Sequence, residues 1–272
     1  MLKAKVINYV IVRQNKDGGY CFAQGALESS SQDTYYGLTI LKELDSGFPN
    51  PEKTLQFLVE NRVDSIYSMY YTAKAQLLLT NTINGRLKKD INSMLKSNIY
   101  YGSKVFFCDT SELATTLMAL ELANILKIKV EKQKIVDWLL SFQNMDGGFG
   151  PRGASNIDST CYAVACFSKI GKNSNPLEQT LRFIRKCEKP QGGFTVIPMN
   201  LTPYMEYSYS GVMSLELLGE KSKYPVQTVN WVLNCQKFTG GFARSDLGIA
   251  TFQDTYYAIE ILKKLGSGIH FE

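Results

Sequence analysis

The chain has 272 residues, of which 44% are hydrophobic and 20% are charged, so we expect one domain over residues 1–272 with a large buried core. Its 30 Lys and Arg against 25 Asp and Glu give a net charge of +5 without a long basic run, which argues against a nucleic-acid-binding protein. The six cysteines form no CxxC pair and no signal segment precedes them, so reduced thiols in a cytoplasmic protein are expected. The apolar stretches are too short for a transmembrane segment.

A glycine turn motif recurs along the chain. Each copy ends in Gly-Gly followed by an aromatic residue, and the copies lie at residues 13–20, 142–149, 187–194 and 235–242. The second glycines stand at 19, 148, 193 and 241, so the spacings are 129, 45 and 48 residues. Because 129 is three periods of 43, two intermediate copies have lost their glycines. The motif therefore predicts six repeats.

Two kinds of helix are predicted between the turns. Segments rich in apolar and small residues on nearly every face begin near residues 33, 68, 112, 159, 207 and 254, as expected of inner helices buried on both sides. Amphipathic segments begin near residues 51, 131, 176 and 224, with apolar residues every three or four positions, as in Ile135, Trp138, Leu139 and Phe142. These are predicted to be outer helices. Six helical hairpins in an all-α fold follow from this alternation.

The first and last inner segments share the sequence QDTYY, at residues 32–36 and 253–257. Helical hairpins stack either into an open solenoid or into a closed ring, and terminal repeats of an open solenoid usually carry a polar cap. Neither terminal copy has such a cap. We therefore predict an α6/α6 barrel, an α/α toroid in which the inner helices surround a central cavity and the first and last of them are neighbours.

The stretch from the second glycine turn into the next helix resembles protein prenyltransferase β subunits. It carries Arg152 shortly after the GGFG sequence, then Asp158, Cys161 and Tyr162 at the start of a helix. The Gln-to-GGF turns also resemble the repeat of squalene and oxidosqualene cyclases. Through its repeats the resemblance covers essentially the whole chain, and it implies an α/α toroid that transfers a prenyl group to a thiol acceptor. It also implies a helical-repeat α subunit as partner, with a homodimer as the alternative.

The resemblance further implies a catalytic zinc. In the family the zinc is held by an Asp and a Cys two positions apart and by a His from another inner helix, and it lowers the pKa of the substrate thiol. Here Asp158 and Cys161 are three positions apart, Asp254 stands where the pattern would have its His, and the only histidine is His270. The candidate zinc set is therefore Asp158, Cys161 and Asp254. The alternative for Cys161 is a small buried apolar residue.

A diphosphate site of Arg, Lys and Tyr is also implied by the resemblance, aided by free N–H groups at helix N-termini. Arg152 and Arg244 each follow a GGF turn, whereas the lysine expected a few residues after the first arginine is absent around Ser155. A solvated turn or a packing salt bridge is the alternative role of both arginines. Aromatic residues would hold the isoprenoid chain and stabilise a carbocation. The candidate substrate-binding residues are Arg152, Arg244, Asp33, Tyr36, Tyr162, Tyr207, Tyr256 and Tyr257.

Class II terpene cyclases protonate their substrate with a carboxylic acid on an inner helix. Asp109 and Glu112 are one turn apart and are the candidate acids, although helix capping is the simpler interpretation of both. Capping is also the simpler interpretation of Asp33 and Asp254, which across a ring closure could instead share a proton or bind a cation. Three hypotheses remain: a prenyltransferase β-like enzyme, a small class II-like cyclase, and a non-catalytic toroid that binds a lipid or a protein.

Overall fold

A computed structural model of the chain describes residues 2–61, 63–97, 112–171 and 177–266, and in these ranges it contains twelve helices. The odd-numbered helices are α1 (Leu2–Ile11), α3 (Pro51–Glu60), α5 (Gly85–Ser97), α7 (Lys132–Leu140), α9 (Leu177–Cys187) and α11 (Pro225–Asn234). The even-numbered helices are α2 (Ser31–Glu43), α4 (Ile66–Thr80), α6 (Glu112–Ile125), α8 (Ile157–Ile170), α10 (Met205–Leu217) and α12 (Phe252–Leu265). The predicted all-α fold with six helical hairpins is confirmed.

The chain divides into two compact units, Met1–Lys88 with Val229–Glu272, and Lys89–Thr228. In the first unit α2 packs between α4 and α12, while α1 and α3 cover α2 and α4. In the second unit α8 packs between α6 and α10, while α7 and α9 cover it. The even-numbered helices are thus the inner series that the sequence predicts. The single domain over residues 1–272 stays a prediction. None of the described helices is long and apolar enough to cross a membrane.

The pairing of α2 with α12 confirms that the two QDTYY segments are neighbours. Near the start of the helices, the rings of Tyr36 and Tyr256 have centroids 5.4 Å apart. Near their ends, Lys263 of α12 forms an ion pair with Glu43 of α2. Because the starts meet each other and the ends meet each other, the two helices run parallel and in register.

The glycine turns are explained by close backbone contact with the following odd-numbered helix. Gly18 has φ of +89°, and a Cβ atom there would lie 2.4 Å from the backbone carbon of Lys53 in α3. The hydroxyl of Thr54 donates a hydrogen bond of 2.8 Å to the Gly18 carbonyl. Gly147 repeats the arrangement, with φ of +86° and a Cβ position 2.4 Å from the backbone of Gln179. Only glycine meets both the dihedral and the steric requirement.

A buried hydroxyl ties each glycine turn to the even-numbered helix that follows it. In every copy, the backbone N–H of the aromatic residue after Gly-Gly donates to a Ser or Thr hydroxyl at the fourth position of that helix. The four pairs are Tyr20 to Thr34 at 3.0 Å, Phe149 to Thr160 at 2.9 Å, Phe194 to Ser208 at 3.0 Å and Phe242 to Thr255 at 2.9 Å. All four hydroxyl residues are fully buried. These bonds fix the point at which four of the inner helices, α2, α8, α10 and α12, begin.

Candidate functional site

Seven tyrosines of the first unit form one connected group, which we call the tyrosine layer. Its members come from α2, α4 and α12, and they are Tyr35, Tyr36, Tyr67, Tyr70, Tyr71, Tyr256 and Tyr257. Tyr36 is central, since its ring centroid lies 5.6 Å from that of Tyr71 and 6.2 Å from that of Tyr257. The hydroxyls of Tyr36 and Tyr71 share a hydrogen bond of 3.2 Å. The layer therefore combines ring faces with linked hydroxyls.

Helix register brings these side chains together. Tyr36, Tyr71 and Tyr257 are each the sixth residue of their helix, so parallel packing sets them at the same level. Along α4, Tyr67, Tyr70, Tyr71 and Lys74 follow the i, i+3, i+4, i+7 spacing of one helix face. Sequence reasoning selected Tyr36, Tyr256 and Tyr257 as site residues, and the layer brings these three together. It missed Tyr67 and Lys74, although the helical spacing from Tyr67 to Lys74 is the signal that could have found them.

Lys74 places a positive charge in the tyrosine layer. Its ammonium nitrogen lies 5.4 Å from the ring centroid of Tyr70 and 5.8 Å from that of Tyr35, within the range of a cation–π interaction. The residue is half-buried. Helical side chains lean toward the helix N-terminus, so Lys74 reaches back to the ring one turn before it. An ammonium in the same layer as tyrosine hydroxyls can bind an anion, and the ring faces can pack against an apolar chain.

Asp33 and Asp254 act as helix-start residues. The N–H of Asp33 donates to the Ser30 hydroxyl at 3.0 Å, and the N–H of Asp254 donates to the Thr251 hydroxyl at 3.0 Å. The Thr251 hydroxyl in turn donates to the Asp254 carboxylate at 2.7 Å, and the Asp33 carboxylate accepts from the N–H of Phe22 at 3.2 Å. Burial raises the pKa of Asp33 above its usual value. The N-cap side chains are therefore those of Ser30 and Thr251, whereas Asp33 and Asp254 are each the third residue of their helix.

The two arginines lie on exposed loops. Arg244 follows the last glycine turn, in the first unit, and Arg152 follows the second described turn, in the second unit. Tyr162 packs with its ring partly buried against the apolar core around α8, and the ring of Tyr207 has its centroid 5.8 Å from that of Tyr204. Both tyrosines belong to the second unit. A diphosphate-binding role for these four residues stays a prediction.

Asp158 and Cys161 have partners other than a metal within the second unit. The Asp158 carboxylate accepts a hydrogen bond of 2.7 Å from the Ser210 hydroxyl on α10. Burial raises the pKa of the Cys161 thiol to about 12, and hydrogen bonds with Ser214 and Ser210 offset only part of that effect. Cys161 is therefore a neutral thiol at neutral pH. A zinc ligand must be a thiolate, so the buried apolar role is the one that its surroundings support.

The described parts of the chain contain no group of three or more His, Cys, Asp or Glu side chains placed to hold a metal ion. The zinc set of Asp158, Cys161 and Asp254 therefore gains no support there and stays a prediction. The carboxylates of Asp158 and Asp254 each accept a hydrogen bond from a hydroxyl group, and burial raises the pKa of the Cys161 thiol. His270 lies outside the described residues. The residues present do not fit a catalytic zinc.

Of the two candidate acids of a cyclase, Glu112 is among the described residues. Asp109 lies outside the described residues. Glu112 is the first residue of α6 and its side chain is exposed, whereas an acid that protonates an alkene has to be kept neutral by apolar surroundings. Its backbone carbonyl accepts hydrogen bonds from the hydroxyls of Thr115 and Thr116, at 3.0 and 2.7 Å. The surroundings of Glu112 are those of a first-turn residue of a helix.

Comparison with known proteins agrees with this architecture. The model of the prenyltransferase alpha-alpha toroid domain matches residues 1–93 and 103–271. Protein farnesyltransferase subunit beta of Schizosaccharomyces pombe is 31% identical over 94 residues, which are 33% of this chain and 24% of that protein. Drimenyl diphosphate synthase of Streptantibioticus cattleyicolor is 22% identical over 228 residues, 74% of this chain and 43% of that protein. The chain thus spans less than half the length of these relatives.

A solved structure extends the likeness over the whole chain. Candida albicans protein geranylgeranyltransferase-I, in complex with GGPP, superposes with a TM-score of 0.75 at 16% identity, covering 98% of this chain and 92% of that one. At this identity the likeness concerns the fold alone. Together with the matched domain model, it confirms the α/α toroid as the fold class that the repeats predict.

Proposed function

This chain belongs to the prenyltransferase alpha-alpha toroid family, and from that premise we propose that it binds an isoprenoid diphosphate against the tyrosine layer and transfers the prenyl group to an acceptor. The tyrosine layer is the observation that carries the proposal. It offers seven aromatic rings for an isoprenoid chain and a cation with hydroxyls for the charged end of the ligand. A solved relative of the same fold binds GGPP, which makes geranylgeranyl diphosphate the first ligand to test.

The layer suits the charge changes of prenyl transfer. When the bond between the first prenyl carbon and the diphosphate oxygen breaks, positive charge develops on the allylic carbon and negative charge on the leaving diphosphate. Tyrosine ring faces stabilise the cation, and hydroxyl and cationic groups stabilise the anion. Arg244, in the same unit as the layer, is the alternative cation for the diphosphate. Arg152, Tyr162 and Tyr207 are the corresponding candidates of the second unit.

The acceptor that we propose is a thiol, on the basis of the relatives named as protein prenyltransferase β subunits. The new bond joins the thiol sulfur to the first prenyl carbon, diphosphate leaves, and the thiol proton passes to solvent. No step is assigned to a metal here. The same relatives support a partner chain, for which a helical-repeat α subunit is proposed and a homodimer is the alternative. We propose a cytoplasmic location for the complex.

The alignment with drimenyl diphosphate synthase, over 74% of this chain, favours a class II-like cyclase as the second candidate. In that case Asp109 would be the acid to test, because Glu112 is exposed. A non-catalytic toroid that holds a lipid or a protein is the third candidate, and the lack of fit to a catalytic zinc supports it.

One experiment separates the three. The protein is incubated with geranylgeranyl diphosphate, with and without a cysteine-containing peptide, and both the pyrophosphate and the lipid products are measured. Pyrophosphate released together with a thioether product supports the proposed transferase. A cyclised diphosphate product supports the cyclase, and unchanged substrate that remains bound supports the non-catalytic toroid. A Tyr36→Ala variant should lose the binding, whereas Tyr224→Ala, which alters a tyrosine outside the layer, should keep it.

A further inference from the structure

We propose that Lys74 binds the diphosphate of the ligand, and that the anionic end of the ligand therefore lies on the α4 side of the tyrosine layer. This inference rests on the proposed function and adds a residue, an orientation and a selectivity to it. Lys74 is not among the residues to which the prenyltransferase resemblance assigns a role. Its role follows from its position, from its aromatic neighbours and from the hydroxyls of the tyrosine layer.

The position of the ammonium is set by the helix. Lys74 is eight residues beyond Ile66, the first residue of α4, which is about 12 Å along the helix axis. Its side chain leans toward the helix start, and its ammonium comes to 5.4 Å from the Tyr70 ring centroid, four residues earlier. The charge therefore stands at the level of the tyrosines and not one turn below them.

The tyrosine layer also carries hydrogen-bonding groups. Tyr36 and Tyr71 share a hydrogen bond between their hydroxyls, and the Tyr257 hydroxyl accepts one of 2.8 Å from the Gln253 amide. A tyrosine hydroxyl both donates and accepts, so these groups can turn their donors toward phosphate oxygens when a ligand enters. An ammonium on a flexible stem is a common phosphate ligand, acting as a point charge.

The same charge dictates the orientation of the ligand. A permanent cation next to Tyr35 and Tyr70 opposes a developing carbocation at those two rings but attracts the leaving diphosphate. Tyr256 and Tyr257 lie on α12, across α2 from the helix that carries Lys74. A carbocation at their rings is repelled less. We therefore place the diphosphate by α4 and the first carbons of the prenyl chain toward α12.

The test compares binding of geranylgeranyl diphosphate and of geranylgeraniol, its neutral alcohol, by isothermal titration calorimetry. Lys74→Met removes the charge and keeps the length of the side chain, Lys74→Gln is a second neutral variant, and Lys74→Arg keeps the charge. Lys42→Met is the matched control, since Lys42 is an exposed lysine of α2 in the same unit. Circular dichroism and thermal unfolding show that each variant is folded.

The expected result is a loss of about tenfold to a hundredfold in affinity for the diphosphate in both neutral variants, the size of a lost charged hydrogen bond. Affinity for geranylgeraniol stays as in wild type, Lys74→Arg retains most of the diphosphate affinity, and Lys42→Met changes neither. If Lys74→Met binds the diphosphate as well as Lys42→Met does, Lys74 is not a ligand and the inference is wrong while the proposed function stands. Equal losses of affinity for both ligands would assign Lys74 a packing role and would also overturn the inference. If wild-type protein binds no prenyl diphosphate, the proposed function itself fails.

Discussion

Cys161 is expected to resist alkylation at neutral pH. The residue is 7% exposed, and burial raises the pKa of its thiol from the ordinary 9.0 to about 12. At any pH below 9 this lowers the thiolate fraction by about a thousandfold, and only the thiolate reacts with iodoacetamide or binds zinc.

Residue-resolved mass spectrometry after pulses of iodoacetamide gives the rate for each cysteine in one sample. Cys21, which is partly exposed, serves as the reactive reference. Cys166 is a matched buried control five residues farther along α8, because burial also raises its pKa and it is no part of the predicted zinc set. We expect Cys161 to react at the slow rate of Cys166. Labelling of Cys161 at a rate close to that of Cys21, or stoichiometric zinc that is lost in Cys161→Ser, would refute the reasoning.

Three further predictions concern stability, measured as the free energy of unfolding in urea. Thr160→Val leaves the buried N–H of Phe149 without its acceptor and should lower the free energy of unfolding by about 1–3 kcal/mol. Thr202→Val, at an exposed threonine, should stay within about 0.5 kcal/mol of wild type. Gly147→Ala should lower the free energy of unfolding more than Gly153→Ala does. Both glycines have positive φ, but only at Gly147 would the added Cβ lie 2.4 Å from backbone atoms. Equal costs would contradict the steric argument. The buried thiols have folded pKa values of about 12 against 9.0, so their stabilisation is complete below pH 9 and is lost toward pH 12, by about 1.4 kcal/mol per thiol and pH unit. A stability profile that does not change when one of these cysteines is replaced by Ser would contradict that assignment.

The repeat architecture could be predicted because its determinants are local. Gly-Gly turns recur where a Cβ atom on the first glycine would lie 2.4 Å from the backbone of the following odd-numbered helix. No other residue meets that requirement, so the spacing of the turns alone revealed the hairpins. The shared QDTYY sequence, together with the lack of polar terminal caps, predicted that α2 and α12 are neighbours, as a closed ring requires. Capping was expected at Asp33 and Asp254, whereas the structure has the cap three residues earlier, at Ser30 and Thr251.

The site was less predictable because it depends on helix register between distant segments. Tyr36 and Tyr71 are 35 residues apart, and only the packing of α2 on α4 joins their hydroxyls. The state of Cys161 is set in the same way, by burial against α10 and by hydrogen bonds with Ser210 and Ser214. The family pattern suggested a zinc ligand at that position, whereas the local packing provides a protonated thiol.

The most direct test of the proposed function is a thermal-shift titration of metal-analysed protein with geranylgeranyl diphosphate, with inorganic pyrophosphate and geranylgeraniol as controls. A ligand that binds only the folded state at a hundred times its dissociation constant stabilises it by about 2.7 kcal/mol, which corresponds to a rise of about 5 °C or more in Tm. The account predicts a rise of this size for the diphosphate ester and a smaller one for each control. An equal rise with pyrophosphate, or no rise with the diphosphate ester, would contradict the proposal that the chain binds an isoprenoid diphosphate.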